Sequence, residues 1–157
     1  MNKNIGRFAI GIALPIGVGT LAAFLTRSSM NIYGELAKPP LAPPAIVFPV
    51  VWTLLYVLMG ISSVLVFNSR EINPVAAEKG LRIYLLSLIL NFSWSLIFFN
   101  NRLFGLAIVN ILILLALIIG TIVNYFKIKP VAAILQIPYA LWVVFATYLN
   151  VAIFIIN

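Results

Sequence analysis

Five long apolar runs divide the chain, at residues 5 to 26, 46 to 67, 82 to 100, 103 to 125 and 130 to 155, with short polar stretches between them. About 20 apolar residues in helical conformation cross the hydrocarbon core of a bilayer. A helix suits that medium because its backbone donors find acceptors within the same segment. The pattern therefore predicts an all-α, polytopic membrane protein: one domain over residues 1 to 157, built as a bundle of five transmembrane helices. The first run continues unbroken from Ile5 to Thr26 and is read as a membrane helix rather than a cleaved leader.

The connections differ in character. Residues 27 to 45 form the longest one, carrying Tyr33, Glu35, Lys38 and the proline-rich stretch KPPLAPP. Successive X-Pro steps favour extended or polyproline backbone, so this loop is expected to be stiff. Residues 68 to 81, with Arg70, Glu71, Glu78 and Lys79, read as a solvated turn. The last two connections are very short, which makes the third, fourth and fifth helices antiparallel neighbours. In the first helix, Ala13/Gly17 and Gly19/Ala23 have the spacing of small residues that lets membrane helices approach closely. Pro49 and Pro130 fall in first turns, where a missing N–H is tolerated. Pro138 lies inside the fifth helix and is expected to kink it or to leave a carbonyl for a neighbour.

Composition agrees with the pattern, at 64% hydrophobic and 8% charged with a mean hydropathy of +1.16. The net charge of +7 does not imply nucleic acid, since the ten basic residues lie singly in loops and at helix ends. They serve better as topology markers. Seven (Lys3, Arg7, Arg70, Lys79, Arg82, Lys127, Lys129) fall on one side and three (Arg27, Lys38, Arg102) on the other. The positive-inside rule then predicts a cytoplasmic N-terminus, an outer C-terminus and an outer position for the proline-rich loop. Histidine and cysteine are absent, which removes the commonest metal ligands and thiol chemistry. The three acids, Glu35, Glu71 and Glu78, are all in loops, against the habit of ion-coupled carriers of placing an ionisable group at membrane depth.

Within the spans, uncharged polar and aromatic residues recur at helical spacing. Trp52 and Tyr56 are i, i+4; Asn91, Trp94, Ser95 and Phe98 fall on i, i+3, i+4, i+7; Pro138, Trp142, Ala146 and Asn150 are successive i, i+4. Chain direction puts all these stripes in the outer half of the bundle, beneath the proline-rich loop. Alone, Trp52 reads as an interfacial tryptophan and Asn91 or Asn150 as interhelical glue. Together they predict a pocket for a large, flat, apolar ligand, with the loop as its lid.

At these residues the sequence resembles the TspO/MBR family, the translocator proteins also called tryptophan-rich sensory proteins or peripheral-type benzodiazepine receptors. The blocks YGELAKPPLAPPAIVFPVVWTLLYVLMG, LILNFSWSLIFFNNR and IPYALWVVFATYLN carry the resemblance. It implies a five-helix bundle in a bacterial cell membrane, often a homodimer, that binds protoporphyrin IX and haem as ligands with no required cofactor or metal. It also implies binding of isoquinoline carboxamide and benzodiazepine-type compounds. The ligand-contacting positions it implies are Tyr33, Trp52, Asn91, Trp94, Phe98, Trp142, Ala146 and Asn150, to which the stripe and the lid add Tyr56, Pro43 and Pro44. Leu41 stands where the family usually has a tryptophan, which predicts a missing aromatic wall in the lid. The C-terminal LNVAIFIIN lacks the tyrosine and basic residue of the animal proteins' cholesterol motif, so sterol binding is not carried over.

Three functions fit one pocket. The first is a porphyrin-binding sensor or scavenger. The second is a light- and oxygen-dependent porphyrin-degrading enzyme, in which the resemblance implies that Trp52 and Trp142 are catalytic. The third is a transporter of tetrapyrroles or other amphiphiles, for which no inverted repeat is evident in the sequence.

Overall fold

The computed structural model describes residues 3 to 157 and is helical from end to end, with no strand among the described residues. The long helices are α1 (Lys3–Thr26), α3 (Val47–Asn68), α4 (Pro74–Ser95), α5 (Phe104–Phe126) and α6 (Pro130–Ile156). A single turn, α2 (Ile32–Glu35), sits in the first loop, and a π-helical turn, Leu96–Asn100, extends α4. The five long helices are each long and apolar enough to cross a membrane, which makes this an integral, multi-pass membrane protein.

The third span begins earlier than the hydropathy pattern implies, at Pro74 rather than residue 82. Asn73 caps the helix, its side chain accepting from Ala76 N at 3.2 Å, and Pro74 occupies the first turn. One turn on, Glu78 and Arg82 form an i, i+4 ion pair on the exposed face. These polar turns are helical for local reasons that a count of apolar residues does not register, so the expected solvated turn at 68 to 81 is mostly helix. Pro138 leaves α6 continuous, with helix on both sides of it.

α5 packs along α4 and α6, α3 lies against α1 and α6, and α1 touches α4 more lightly. α1 and α3 cross at close range. A Cβ at Gly60 would stand 2.6 Å from Ile12 Cα and 2.7 Å from Gly11 O, so only glycine permits the approach. The expected Ala13/Gly17 face plays no such part. Both residues are exposed, and nothing lies within 4 Å of a Cβ built on Gly17. Gly19 does meet a neighbour, the Tyr56 ring.

Met59, Val66, Ala77, Tyr84, Ile118, Tyr125, Ala132 and Ala133 are fully or almost fully buried in the main core. Polar side chains turn inward there: Ser62 Oγ donates to Ala132 O at 2.7 Å, and Gln136 Nε2 to Ser62 Oγ at 3.2 Å. Interhelical hydrogen bonds of this kind average about 0.6 kcal/mol each in membranes. Arg7 lies at the same end of the bundle as Asn68, donating to its Oδ1 at 2.9 Å with its guanidinium over Phe67.

Candidate functional site

Toward the opposite end the bundle opens into a cavity of about 340 Å³. Its walls come from the second half of α1, the first half of α3, the end of α4 with its π turn, and the last turns of α6; the first loop adds Met30, Tyr33 and Ala45. Of the residues expected at a site, Tyr33, Trp52, Tyr56, Asn91, Trp94, Phe98, Ala146 and Asn150 all line it.

The aromatic side chains form two stacks. Trp52 lies parallel to Tyr56 with ring centroids 5.4 Å apart, and meets Tyr139 edge to face at 6.0 Å. Across the cavity Trp94 stacks on Phe98 at 5.0 Å, and Phe99 stands edge-on to both. The π turn shapes this second stack. Asn101 N reaches back to Leu96 O at 3.1 Å, one residue further than an α-helical bond, so the strict α spacing ends at Ser95. Phe98 is buried there, and the neighbouring Phe99 also reaches the cavity.

Polar groups hold these rings in place. Tyr56 OH donates to Asn91 Oδ1 at 3.0 Å, and Asn91 Nδ2 donates to Tyr139 OH at 3.2 Å, joining α3, α4 and α6 through one amide. Trp94 Nε1 donates to Asn150 Oδ1 at 3.0 Å, and Asn150 Nδ2 to Phe104 O at 3.2 Å. The asparagines thus act as interhelical ties and as wall residues together. Their oriented rings present flat faces suited to stacking.

The first loop is fastened at several points. Tyr33 OH donates to Pro43 O at 2.9 Å and Tyr148 OH to Pro40 O at 2.8 Å. The Asn157 side chain pairs with the Ala37 backbone in both directions, accepting from N at 2.9 Å and donating to O at 3.2 Å. Burial raises the Tyr33 phenol pKa above its ordinary value, which keeps it protonated as a donor.

Several expected positions fall elsewhere. Pro43 and Pro44 do not line the cavity; Pro43 contributes its carbonyl to Tyr33 instead. Trp142 stands off the wall, edge-on to Phe48 at 5.9 Å and against Phe145 at 5.6 Å, with its buried Nε1 lacking a hydrogen-bond partner. Leu41 is 81% exposed with φ 68°, in a tight turn closed by Ala42 N to Pro39 O at 3.2 Å. It is not among the residues that line the cavity. Sequence reasoning missed Phe48, Thr20 and Phe99. Phe48 was within reach, being one turn before Trp52 on the same stripe.

Comparison with known proteins places this architecture. The model of the TspO/MBR family matches residues 11 to 156. A tryptophan-rich protein TspO from Chlorobaculum tepidum is 33% identical, the match covering 100% of this chain and 99% of that protein. One of the same name from Archaeoglobus fulgidus is 34% identical over 98% of this chain and 99% of its own. The translocator protein of Homo sapiens is 34% identical over 90% of this chain and 85% of its own. The match reaches from α1 to α6 and takes in every wall of the cavity. This chain belongs to the TspO/MBR family.

Proposed function

We propose that the protein binds tetrapyrroles such as protoporphyrin IX or haem in the cavity beneath the first loop, acting as a membrane sensor or scavenger. The observation that carries this reading is a 340 Å³ space walled by the Trp52–Tyr56 and Trp94–Phe98 stacks, in the usual size range for small-molecule sites. Flat apolar rings bind there by stacking and burial. A titration of the detergent-purified protein with protoporphyrin IX in the dark, followed by tryptophan quenching, tests it. Saturable quenching is expected, and a strictly linear response would sink the proposal.

A second reading, photo-oxidative porphyrin degradation, is favoured by Trp52, whose indole is in the cavity wall and stacked on Tyr56. Light-excited porphyrin would react with dioxygen, the oxidant that takes up the electrons lost by the macrocycle, and Trp52 would serve as a nearby indole that relays an electron and is restored in the cycle. Illumination after saturation separates the readings: bleaching that Trp52→Phe abolishes marks an enzyme, and stable absorbance marks a binder. Trp142→Phe is expected to matter less, since its indole reaches the cavity wall through Phe48. The distribution of basic residues supports a cytoplasmic N-terminus. Labelling of a single cysteine introduced at Lys38 tests that orientation against a chain with no cysteine of its own.

A further inference from the structure

The cavity wall contains no side chain charged at neutral pH. Its hydrogen-bond donors are also largely committed: Tyr33 to Pro43 O, Tyr56 to Asn91, Trp94 to Asn150, Thr26 to Ala22 O and Thr53 to Pro49 O. A ligand carboxylate drawn inside would lose its water without gaining a cation. Burial of an unpaired charge is too costly to be tolerated, so any anionic group on the ligand must stay at the mouth.

Three cations occupy this end of the molecule, and they are not equivalent. Arg102 is paired with Glu35, Nη2 to Oε2 at 3.6 Å. Arg27 lies over the ring of Phe24 at 4.3 Å, on an outward-facing residue that is not part of the wall. Lys38 has no ion-pair partner among the described residues, and its Nζ sits 5.1 Å from the ring centroid of Tyr33, which is a wall residue. Arg27 also has no ion pair among the described residues, so what sets Lys38 apart is that its ammonium lies against a wall residue. The flexible stem of Lys38 lets it swing toward a charge arriving there.

We propose that Lys38 is the anion-receiving residue of this site, and that the preferred ligand is an amphiphile: a flat apolar ring system with carboxylate groups along one edge. The ring enters between the two aromatic stacks and the carboxylate edge stays outward, against Lys38. This deepens the tetrapyrrole reading and rests on it. It also assigns the orientation of the ligand, which stacking alone leaves free because ring faces carry no polarity along the cavity axis.

The test compares protoporphyrin IX with its neutral dimethyl ester, titrated in the dark against the parent, Lys38→Gln and Arg27→Gln at low and high salt. The readout is the acid-to-ester affinity ratio, because partitioning into detergent is common to all three proteins and cancels between them. Lys38→Gln is expected to lower that ratio by up to about fivefold, the upper end of the range of an exposed ion pair, while leaving ester affinity unchanged. Added salt is expected to lower the ratio in the parent and in Arg27→Gln, and to have little effect in Lys38→Gln. An unchanged ratio in Lys38→Gln, or an equal loss in Arg27→Gln, overturns the assignment. Failure of acid and ester alike to saturate the parent overturns the tetrapyrrole reading itself, an outcome distinct from the loss of charge preference.

Discussion

A methyl group at residue 60 has nowhere to go. In Gly60→Ala the new Cβ would lie 2.6 Å from Ile12 Cα and 2.7 Å from Gly11 O, both backbone atoms of α1, whereas ordinary contact begins at 3.4 Å. No rotamer change relieves such a contact, so the two helices must part by most of an ångström along their tightest crossing. Overpacking of this kind costs about 1–3 kcal/mol. At about 2–4 °C per kcal/mol for a chain of this size, the melting temperature should fall by about 2–12 °C. α1 also supplies Ile16, Gly19 and Thr20 to the cavity, so ligand affinity should weaken with it. The assay is thermal unfolding in detergent, followed by tryptophan emission, with Gly17→Ala alongside. Nothing lies within 4 Å of a Cβ at Gly17, and alanine favours helix by about 1 kcal/mol, so that variant should melt at or above the parent. Equal melting of Gly60→Ala and the parent, or an equal fall in both variants, would refute the crossing as described.

Asn91→Leu removes the shared partner of the Tyr56 and Tyr139 hydroxyls and should cost about 1–3 kcal/mol by thermal unfolding. It should cost more than Asn110→Leu, which gives up one bond to Ser93 while also removing a buried oxygen that has no partner; the reverse order would contradict the network. Asn157→Ala unfastens the first loop at Ala37, and the Ala37 amide should exchange with solvent about fivefold faster, as expected for the loss of roughly 1 kcal/mol. Unchanged exchange would mean the contact does not hold in solution. For Tyr33 the sign follows from its raised pKa. The protonated donor is favoured in the folded loop, so its contribution is complete below the ordinary value of 10.0 and is lost only as pH climbs through the higher folded value. From neutral pH upward, ligand release should therefore stay flat until above 10.0, and acceleration between neutral pH and that point would assign the effect to another group.

The long helices were legible because one physical rule, apolar length, dictates them; four of the five begin and end within two residues of the hydropathy pattern over the described chain. The exception, α4, starts with polar turns that depend on an asparagine cap and an ion pair. The site stripes were legible for the same reason of periodicity, which is why Trp52, Tyr56, Asn91, Trp94 and Asn150 were found in advance. Periodicity fails where geometry departs from the ideal helix or where depth alone is insufficient. The π turn brought Phe99 to the wall as well as Phe98, and Trp142 shares the stripe of Ala146 and Asn150 yet packs beside the cavity rather than in it. Which small residues form the α1–α3 crossing also escaped the pattern, since Gly11 and Gly60 are on different helices and their meeting depends on tertiary packing.

A cavity wall without charge has an electrical consequence. A membrane potential does work only on charge that moves through it, about 2.3 kcal/mol per elementary charge for each 100 mV. With a neutral lining, and with the carboxylates of a ligand outside at Lys38 as proposed, filling or emptying the cavity would carry no charge across the field. Occupancy should then follow ligand concentration alone and stay indifferent to whether the membrane is energised, so the protein would report the same value in a respiring cell and a starved one.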